Sequence, residues 1–322
     1  MSKFLNHYST DLSCFLKLPQ QEISNRLIKY LIDRKISKSY KNLVFSSIKH
    51  ACEMNDVILN WKKLKKFIKS EKTNNETNGR DRGYTHEEIR KILDFSDQRI
   101  RTALLILAST GIRIGALYSL SIHDLEKFDD VYKITVYSGD KEEYFAFCTP
   151  EAANEIDTYL DFRKRHGEKL TRDSFLLVKR FNVNLKIDGF KGKPFGKRSL
   201  QVILEDYIKN SGLREIDHVN PHKRKEVPIL HGFRKFFTTQ LISSKINPEI
   251  REMLLGHKIG LASCYYRPTV EEMYEEYSKA IDNLTIDPAN RLQRKIETLT
   301  IEKSRLDRIE EKMLKMEQMY QK

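Results

Sequence analysis

HGFRKFFTTQLISSKINPEIREMLLGHKIGLASCYYRP, residues 231–268, is the stretch that decides the fold. It offers a His and an Arg three apart (His231, Arg234), a second His straight after a Gly (His257), and a Tyr pair (Tyr265, Tyr266) ahead of a Pro. Positions three apart share a helix face, so His231 and Arg234 can address one ligand atom. A guanidinium beside imidazoles suits a phosphate diester: the Arg forks onto non-bridging oxygens, and a His hydrogen-bonds or moves a proton. A Tyr hydroxyl is a candidate covalent nucleophile. These residues do not make a sensible metal set, because the carboxylates and thiolates a metal would want are missing nearby. By itself HxxR is a weak signal, whose plainer reading is a satisfied core histidine and a surface arginine. Its weight depends on partners elsewhere in the chain.

The 322 residues are enough for two domains, each with its own core. Lys and Arg number 58 against 45 acids, a formal net charge of +13. The excess is uneven, because residues 1–72 hold fifteen Lys/Arg and six Asp/Glu, a net of +9. Such concentration points to a polyanion, nucleic acid before an anionic membrane surface. The four cysteines (Cys14, Cys52, Cys148, Cys264) form no CxxC and fit a reducing cytoplasm better than a disulfide framework. The start, MSKFLNHYST, lacks an apolar signal core, and the longest apolar run, Ala103 to Ala108, is far short of a membrane span. A cytoplasmic protein is expected.

Residues 20–33, 38–54 and 61–69 predict three short helices, with stripes Leu27, Ile28, Leu31, Ile32; Leu43, Val44, Ile48, Ala51, Cys52; and Trp61, Leu64, Ile68. Opposite them stand Lys35, Lys38, Lys41, Lys49, Lys62, Lys63, Lys65, Lys66 and Lys69, a basic side suited to DNA phosphates. Residues 70–83 contain no hydrophobic side chain and read as a linker. The expected division is a basic helical domain over 1–72, a linker over 73–83, a second domain over 84–285 and a terminal helix over 286–322.

Thr85 with Glu88 is a capping box opening a helix that buries Ile89, Ile92 and Leu93. Thr102 to Ala108 predicts a buried helix stopped by Thr110-Gly111. Arg113 follows in ASTGIRIGALYSL; burying its charge would require an anionic partner. Val131–Tyr137 and Tyr144–Cys148 alternate as a hairpin, with Lys141 at the turn, where an ammonium is either simply solvated or carried into a DNA groove. Helices are predicted over 151–165 and Leu200–Ile208. Residues 179–198 and 221–228 are basic loops, the former carrying Lys191, Lys193, Lys197 and Arg198. After Pro268, Thr269 with Glu272 caps a helix over 270–283, so Tyr266 lies on a short segment before a helix start. From Asn290 the apolar residues Leu292, Ile296, Leu299, Leu306, Ile309, Met313, Met316 and Tyr320 recur at steps of three and four, predicting a terminal helix. It would either form a coiled coil or pack on its own domain.

Taken together, TGIR (Arg113), Lys141, HGFR (His231, Arg234), LLGH (His257) and a Tyr nine residues further on (Tyr266) resemble the tyrosine recombinase (phage integrase) family. The match covers about residues 20–285, and the KIGLASCYYRPT stretch looks most like archaeal integrases. The resemblance implies a mainly helical (α+β) fold: a helical core-binding domain, a catalytic domain with a small antiparallel sheet, and here a C-terminal amphipathic helix. It implies that Tyr266 attacks a scissile phosphate to form a 3′-phosphotyrosyl link. Arg113 and Arg234 would hold the non-bridging oxygens, and Lys141 would protonate the leaving 5′ oxygen. His231 would assist the nucleophile and His257 would hydrogen-bond the phosphate, and the resemblance implies no metal and no cofactor, because the covalent link stores the phosphodiester energy. Lys35, Lys38, Lys41, Lys63, Lys66, Lys191, Lys193, Lys197 and Arg198 are candidate DNA contacts. Double-stranded DNA and a homotetramer on it are the implied partners, with integration or excision of a mobile element as the task.

Three departures stand out. Ala116 occupies the place of the family's usual acid three residues past the first arginine, leaving open what orients Arg113. Lys235 replaces a second His, and Tyr265 sits beside the nucleophile position. A Xer-type resolvase, a type IB topoisomerase-like enzyme and a non-enzymatic DNA-binding scaffold are the alternatives.

Overall fold

The computed structural model describes residues 1–34, 36–69, 81–181, 189–213, 226–258, 260 and 266–320, with backbone alone at 38, 68, 69, 197, 311 and 314–320. The fold is mainly helical with one small antiparallel sheet. Two compact units divide the chain, Met1–Gly79 and Arg80–Lys322. No helix among the described residues is long and apolar enough to cross a membrane.

Among its described residues the first unit contains five helices rather than the three expected: α1 (Ser2–His7), α2 (Leu12–Leu16), α3 (Gln20–Asp33), α4 (Lys38–Glu53) and α5 (Trp61–Lys69). The first two are too short to show a helical repeat. They are fixed instead by Phe4 and Phe15, which meet edge to face with ring centroids 5.3 Å apart; Phe4 also meets Tyr30 at 5.0 Å. Both Phe4 and Phe15 join Ile23, Leu27, Leu31, Val44, Ile48, Cys52 and Leu64 in one core.

The buried row of α4 runs one residue away from the expected stripe. Val44, Phe45, Ile48, Ala51 and Cys52 are buried, while Leu43 is 61% exposed. Lys41 lies three and seven residues before Val44 and Ile48, on the same face, and is only 5% exposed. It therefore does not stand on an open basic side. Ile32 likewise turns outward from α3. Lys63 and Lys66 are exposed, Lys35 lies outside the described residues, and the side chain of Lys38 is outside them too.

In the second unit the chain order is α6 (His86–Asp94), α7 (Gln98–Thr110), α8 (Ile114–Leu117), β1 (Leu125–Phe128), β2 (Val131–Val136), β3 (Tyr144–Phe147), α9 (Pro150–Arg165), α10 (Lys197–Ile208), α11 (His231–Ser243), α12 (Pro248–Leu254), α13 (Val270–Ser278), α14 (Ile281–Leu284) and α15 (Pro288–Tyr320). Helix α6 opens on the Thr85–Glu88 capping box, and Arg82 adds two 2.7 Å bonds to the same Glu88 carboxylate. Helix α7 is buried from Thr102 to Thr110, so it must be covered all round; α9, α11, α14 and β3 pack on it. Its two late hydroxyls are satisfied internally, Ser109 donating to Leu105 O and Thr110 to Ile106 O.

The sheet has three strands in the order β1-β2-β3, one more than the hairpin read from the sequence. The added edge strand, LEKF, is four residues with two charges and pairs Leu125 with Ile134. On the other side Val136 faces Tyr144 and Lys133 faces Phe147. Behind the sheet a fully buried ion pair pins the chain after α9: both nitrogens of the Arg163 fork reach Glu168 at 2.7 Å. Arg163 also donates to Phe175 O and Leu176 O, and Glu168 accepts from Gly192 N. Every charge-bearing atom of the pair is thereby bonded, which makes its burial tolerable.

The Thr269–Glu272 capping box starts α13 as expected, but the helix ends at Ser278 and restarts as α14. Among the described side chains, helix α15 is tied down at its start, where Arg291 donates to Thr285 O and Arg294 pairs with Asp130 at 2.9 Å. Further along, Leu292, Ile296, Leu299, Leu306, Ile309 and Met313 are all exposed. This stretch does not pack back on its own unit.

Candidate active site

Helix α11 presents His231 and Arg234 one turn apart, as the spacing requires. Arg234 is buried, at 7% exposure, without a carboxylate partner among the described residues. Its anchors are instead backbone carbonyls where two other helices end. Nη1 donates to Gly111 O after α7 (2.7 Å), and Nη2 donates to Leu255 O after α12 (2.6 Å). Helix C-termini carry unsatisfied carbonyls and partial negative charge, so they hold a buried cation well. Burial still lowers the Arg234 pKa, with Arg113 adding to the push. A guanidinium stays charged regardless.

Nη2 also lies 2.8 Å from Nε2 of His257. These bonds use three of five donors, leaving Nε–H and one Nη1–H for a ligand.

The position of His257 follows from how α12 stops. Gly256, in the left-handed region at φ 65°, bonds through its N–H to Met253 O, and His257 N–H bonds to Glu252 O. This is the Schellman arrangement, which folds the residue after the Gly back over the last turn. Nδ1 of His257 is consequently 2.6 Å from Glu252 Oε2. With Nε2 facing the Arg234 donor, the imidazole is assigned its proton on Nδ1, donating to Glu252. The bond to His257 holds the Glu252 carboxyl below its ordinary value.

Two cavities adjoin here. Arg113, Lys141, Glu142, Glu143, Tyr144, Gly256 and His257 line one; His231, Arg234, Lys235, Glu252 and His257 line the other, so the His257 ring forms a shared wall. Arg113 caps α8, its carbonyl accepting from Ala116 N–H at 2.8 Å, and its exposed guanidinium has no hydrogen-bond or ion-pair partner among the described residues. The Ala116 methyl is fully buried and offers that guanidinium no acceptor. Lys141 is exposed at the hairpin tip, which is braced by Glu143 accepting from Gly139 N–H and Asp140 from Glu142 N–H. Lys235, in place of a second His, donates to Asp81 O at 2.9 Å. Burial, then the charges of Lys235 and Arg234, lower the His231 pKa. That imidazole is therefore neutral near pH 7 and able to take a proton.

Tyr266 stands apart from this group. It lines neither of the two cavities and packs, half-buried, against the edge of the core. Burial and then Glu272, Glu276 and Glu249 push its phenol pKa up, the opposite of what two nearby guanidiniums would do. Tyr265 and the segment 261–265 lie outside the described residues. Of the other basic candidates, Lys191, Lys193 and Arg198 are exposed, while the side chain of Lys197 is outside the described residues.

Sequence reasoning missed Glu252 and Tyr144. For Glu252 a signal existed: a helix ending in Leu-Leu-Gly implies a Schellman cap, which sets the next residue over the one five back. For Tyr144 none did.

The phage integrase family model matches residues 83–272. Tyrosine recombinase XerC of Treponema denticola is 27% identical over 187 residues, covering 54% of this chain and 53% of that protein. Tyrosine recombinase XerA of Pyrococcus furiosus is 26% identical over 207 residues, covering 62% and 63%. The chain thus spans somewhat over half the length of the curated relatives it matches. A lambda integrase fragment, solved as a dimer bound to a COC′ core site, aligns at TM-score 0.50 and 18% identity over 79% of this chain and 84% of that one. That last likeness is one of fold.

Proposed function

We propose that this chain, which belongs to the phage integrase family, is a site-specific DNA recombinase working through a 3′-phosphotyrosine intermediate. The observation that carries this reading is the gathering of Arg113, Lys141, His231, Arg234 and His257 around two cavities with one common wall. In the proposed reaction the Tyr266 oxygen bonds to phosphorus as the bond from phosphorus to the 5′ oxygen breaks. His231 takes the phenol proton, and the Lys141 ammonium gives one to the leaving oxygen. Arg113 and the free donors of Arg234 meet the charge that grows on the non-bridging oxygens. The phosphotyrosyl ester conserves the energy of the broken bond, so a 5′-hydroxyl from a second duplex reverses the step on a new partner.

Tyr266 lies among carboxylates, so docking it on the arginines is a separate step that would also lower its pKa. Lys63, Lys66, Lys191, Lys193 and Arg198 are the proposed phosphate contacts. The exposed apolar row of α15 supports assembly of copies on DNA, a homotetramer being what strand exchange between two duplexes needs. Integration or excision of a mobile element is the proposed task.

The test is to incubate the protein with genomic fragments flanking its gene and quench in SDS. Covalent protein–DNA adducts at one recurrent sequence, absent with Tyr266→Phe, are expected. Cleavage at no preferred sequence would point to a topoisomerase, and salt-sensitive binding without adducts to a DNA-binding scaffold.

A further inference from the structure

Tyr144 opens β3 opposite Val136 and lines the cavity that holds Arg113. The ring is wedged against Gly256: a Cβ on that glycine would lie 2.4 Å from Cε1 and 2.6 Å from Cζ. Its hydroxyl is buried and has no hydrogen-bond partner among the described residues. It lies near Arg234 without meeting hydrogen-bond geometry; burial raises the phenol pKa, and the Arg234 charge, with a smaller part from Arg113, opposes that rise. A buried hydroxyl without a partner normally costs stability and is seldom kept without cause. The cavity that this one borders also holds Arg113, Lys141 and His257, the groups already proposed to surround a phosphate.

We infer that the Tyr144 hydroxyl is a further catalytic residue, donating to a non-bridging oxygen of the scissile phosphate while its own oxygen accepts from an arginine N–H. The inference rests on the strand-cleavage reading above. A phenol has one proton to give and lone pairs to receive, so it can bridge a guanidinium and a phosphate as neither a Phe nor a carboxylate would. It also addresses the vacancy at Ala116, since a hydroxyl held by the Gly256 notch offers Arg113 an acceptor once phosphate arrives. No covalent change at Tyr144 is involved.

The test uses the full chain and a nicked duplex carrying the sequence recovered as adducts, under single-turnover conditions. Tyr144→Phe keeps the ring in its notch. Adduct formation at saturating protein should slow about 10- to 100-fold, with duplex affinity unchanged. The melting temperature should stay level or rise, because the hydroxyl has no partner to lose. A duplex with a methylphosphonate at the scissile position removes one non-bridging oxygen; for one diastereomer the gap between wild type and Tyr144→Phe should close. Wild-type rates in Tyr144→Phe, or a clear fall in its melting temperature, would overturn the role. Loss of all adduct in Tyr144→Phe while Tyr266→Phe still forms it would make Tyr144 the nucleophile and overturn it as well. If wild type itself forms no adduct, the cleavage reading fails and this inference fails with it.

Discussion

Replacing Gly256 by Ala should damage both the fold and the site, and a second glycine supplies the yardstick. Gly256 holds φ 65° at the end of α12, and its missing Cβ is the space in which the Tyr144 ring sits, 2.4 to 2.6 Å away. Gly139 at the hairpin tip holds φ 78° with nothing within 4 Å. Left-handed backbone costs a non-glycine residue about 1–2 kcal/mol, a loss common to both positions. Forcing a methyl into packed side chains adds about 1–3 kcal/mol, a loss confined to Gly256. Urea denaturation of Gly139→Ala and Gly256→Ala should therefore differ by about 1–3 kcal/mol, with Gly256→Ala the weaker. In a Tyr144→Leu background the difference should shrink, because the obstructing ring is gone. Gly256→Ala should also slow adduct formation, since His257 is the next residue and is aimed by the same turn. Equal losses at the two glycines, or a gap unchanged by Tyr144→Leu, would refute the account of this turn.

Three further outcomes are expected. Glu168→Gln leaves the buried Arg163 charge without its counterion and should cost about 3–5 kcal/mol by denaturation; a loss under 1 kcal/mol would contradict that burial. His231 is held below its ordinary 6.5 by burial and by Lys235 and Arg234. A general base must be unprotonated, so the acid limb of the adduct rate should have its midpoint below pH 6.5. Lys235→Gln should move that limb up toward 6.5, whereas a wild-type limb at or above 6.5 would remove His231 as the base. Lys63→Ala and Lys66→Ala should each weaken duplex binding and reduce its salt slope by about 1, while Lys41→Ala leaves the slope unchanged. A slope change at Lys41 would return it to the DNA face.

Local signals in the chain were the ones that read correctly. The Thr85–Glu88 and Thr269–Glu272 boxes both start helices, and the apolar run through Leu107 is a buried one. Each depends on residues within one or two turns. What stayed hidden depends on distant chain. Whether Lys41 or Leu43 faces inward is decided by where the core of the first unit lies, and a four-residue strand such as LEKF carries too few positions to show alternation. At the site, HxxR disclosed Arg234, but its anchors are carbonyls of Gly111 and Leu255, which no side-chain pattern encodes. Tyr144 reads from sequence as an ordinary strand residue, and its significance comes from the vacant position at Gly256, over a hundred residues away. The displacement of Tyr266 from the arginines is likewise a property of the folded chain.

The central claim, that five converging groups serve one phosphodiester attacked by Tyr266, meets its most direct test in the adduct itself. Protease digestion of the trapped complex and mass spectrometry of the nucleotide-bearing peptide should identify the Tyr266 side chain joined to a 3′-phosphate, with a free 5′-hydroxyl on the released strand. Attachment through any other residue, or a 5′-phosphate linkage, would contradict the account.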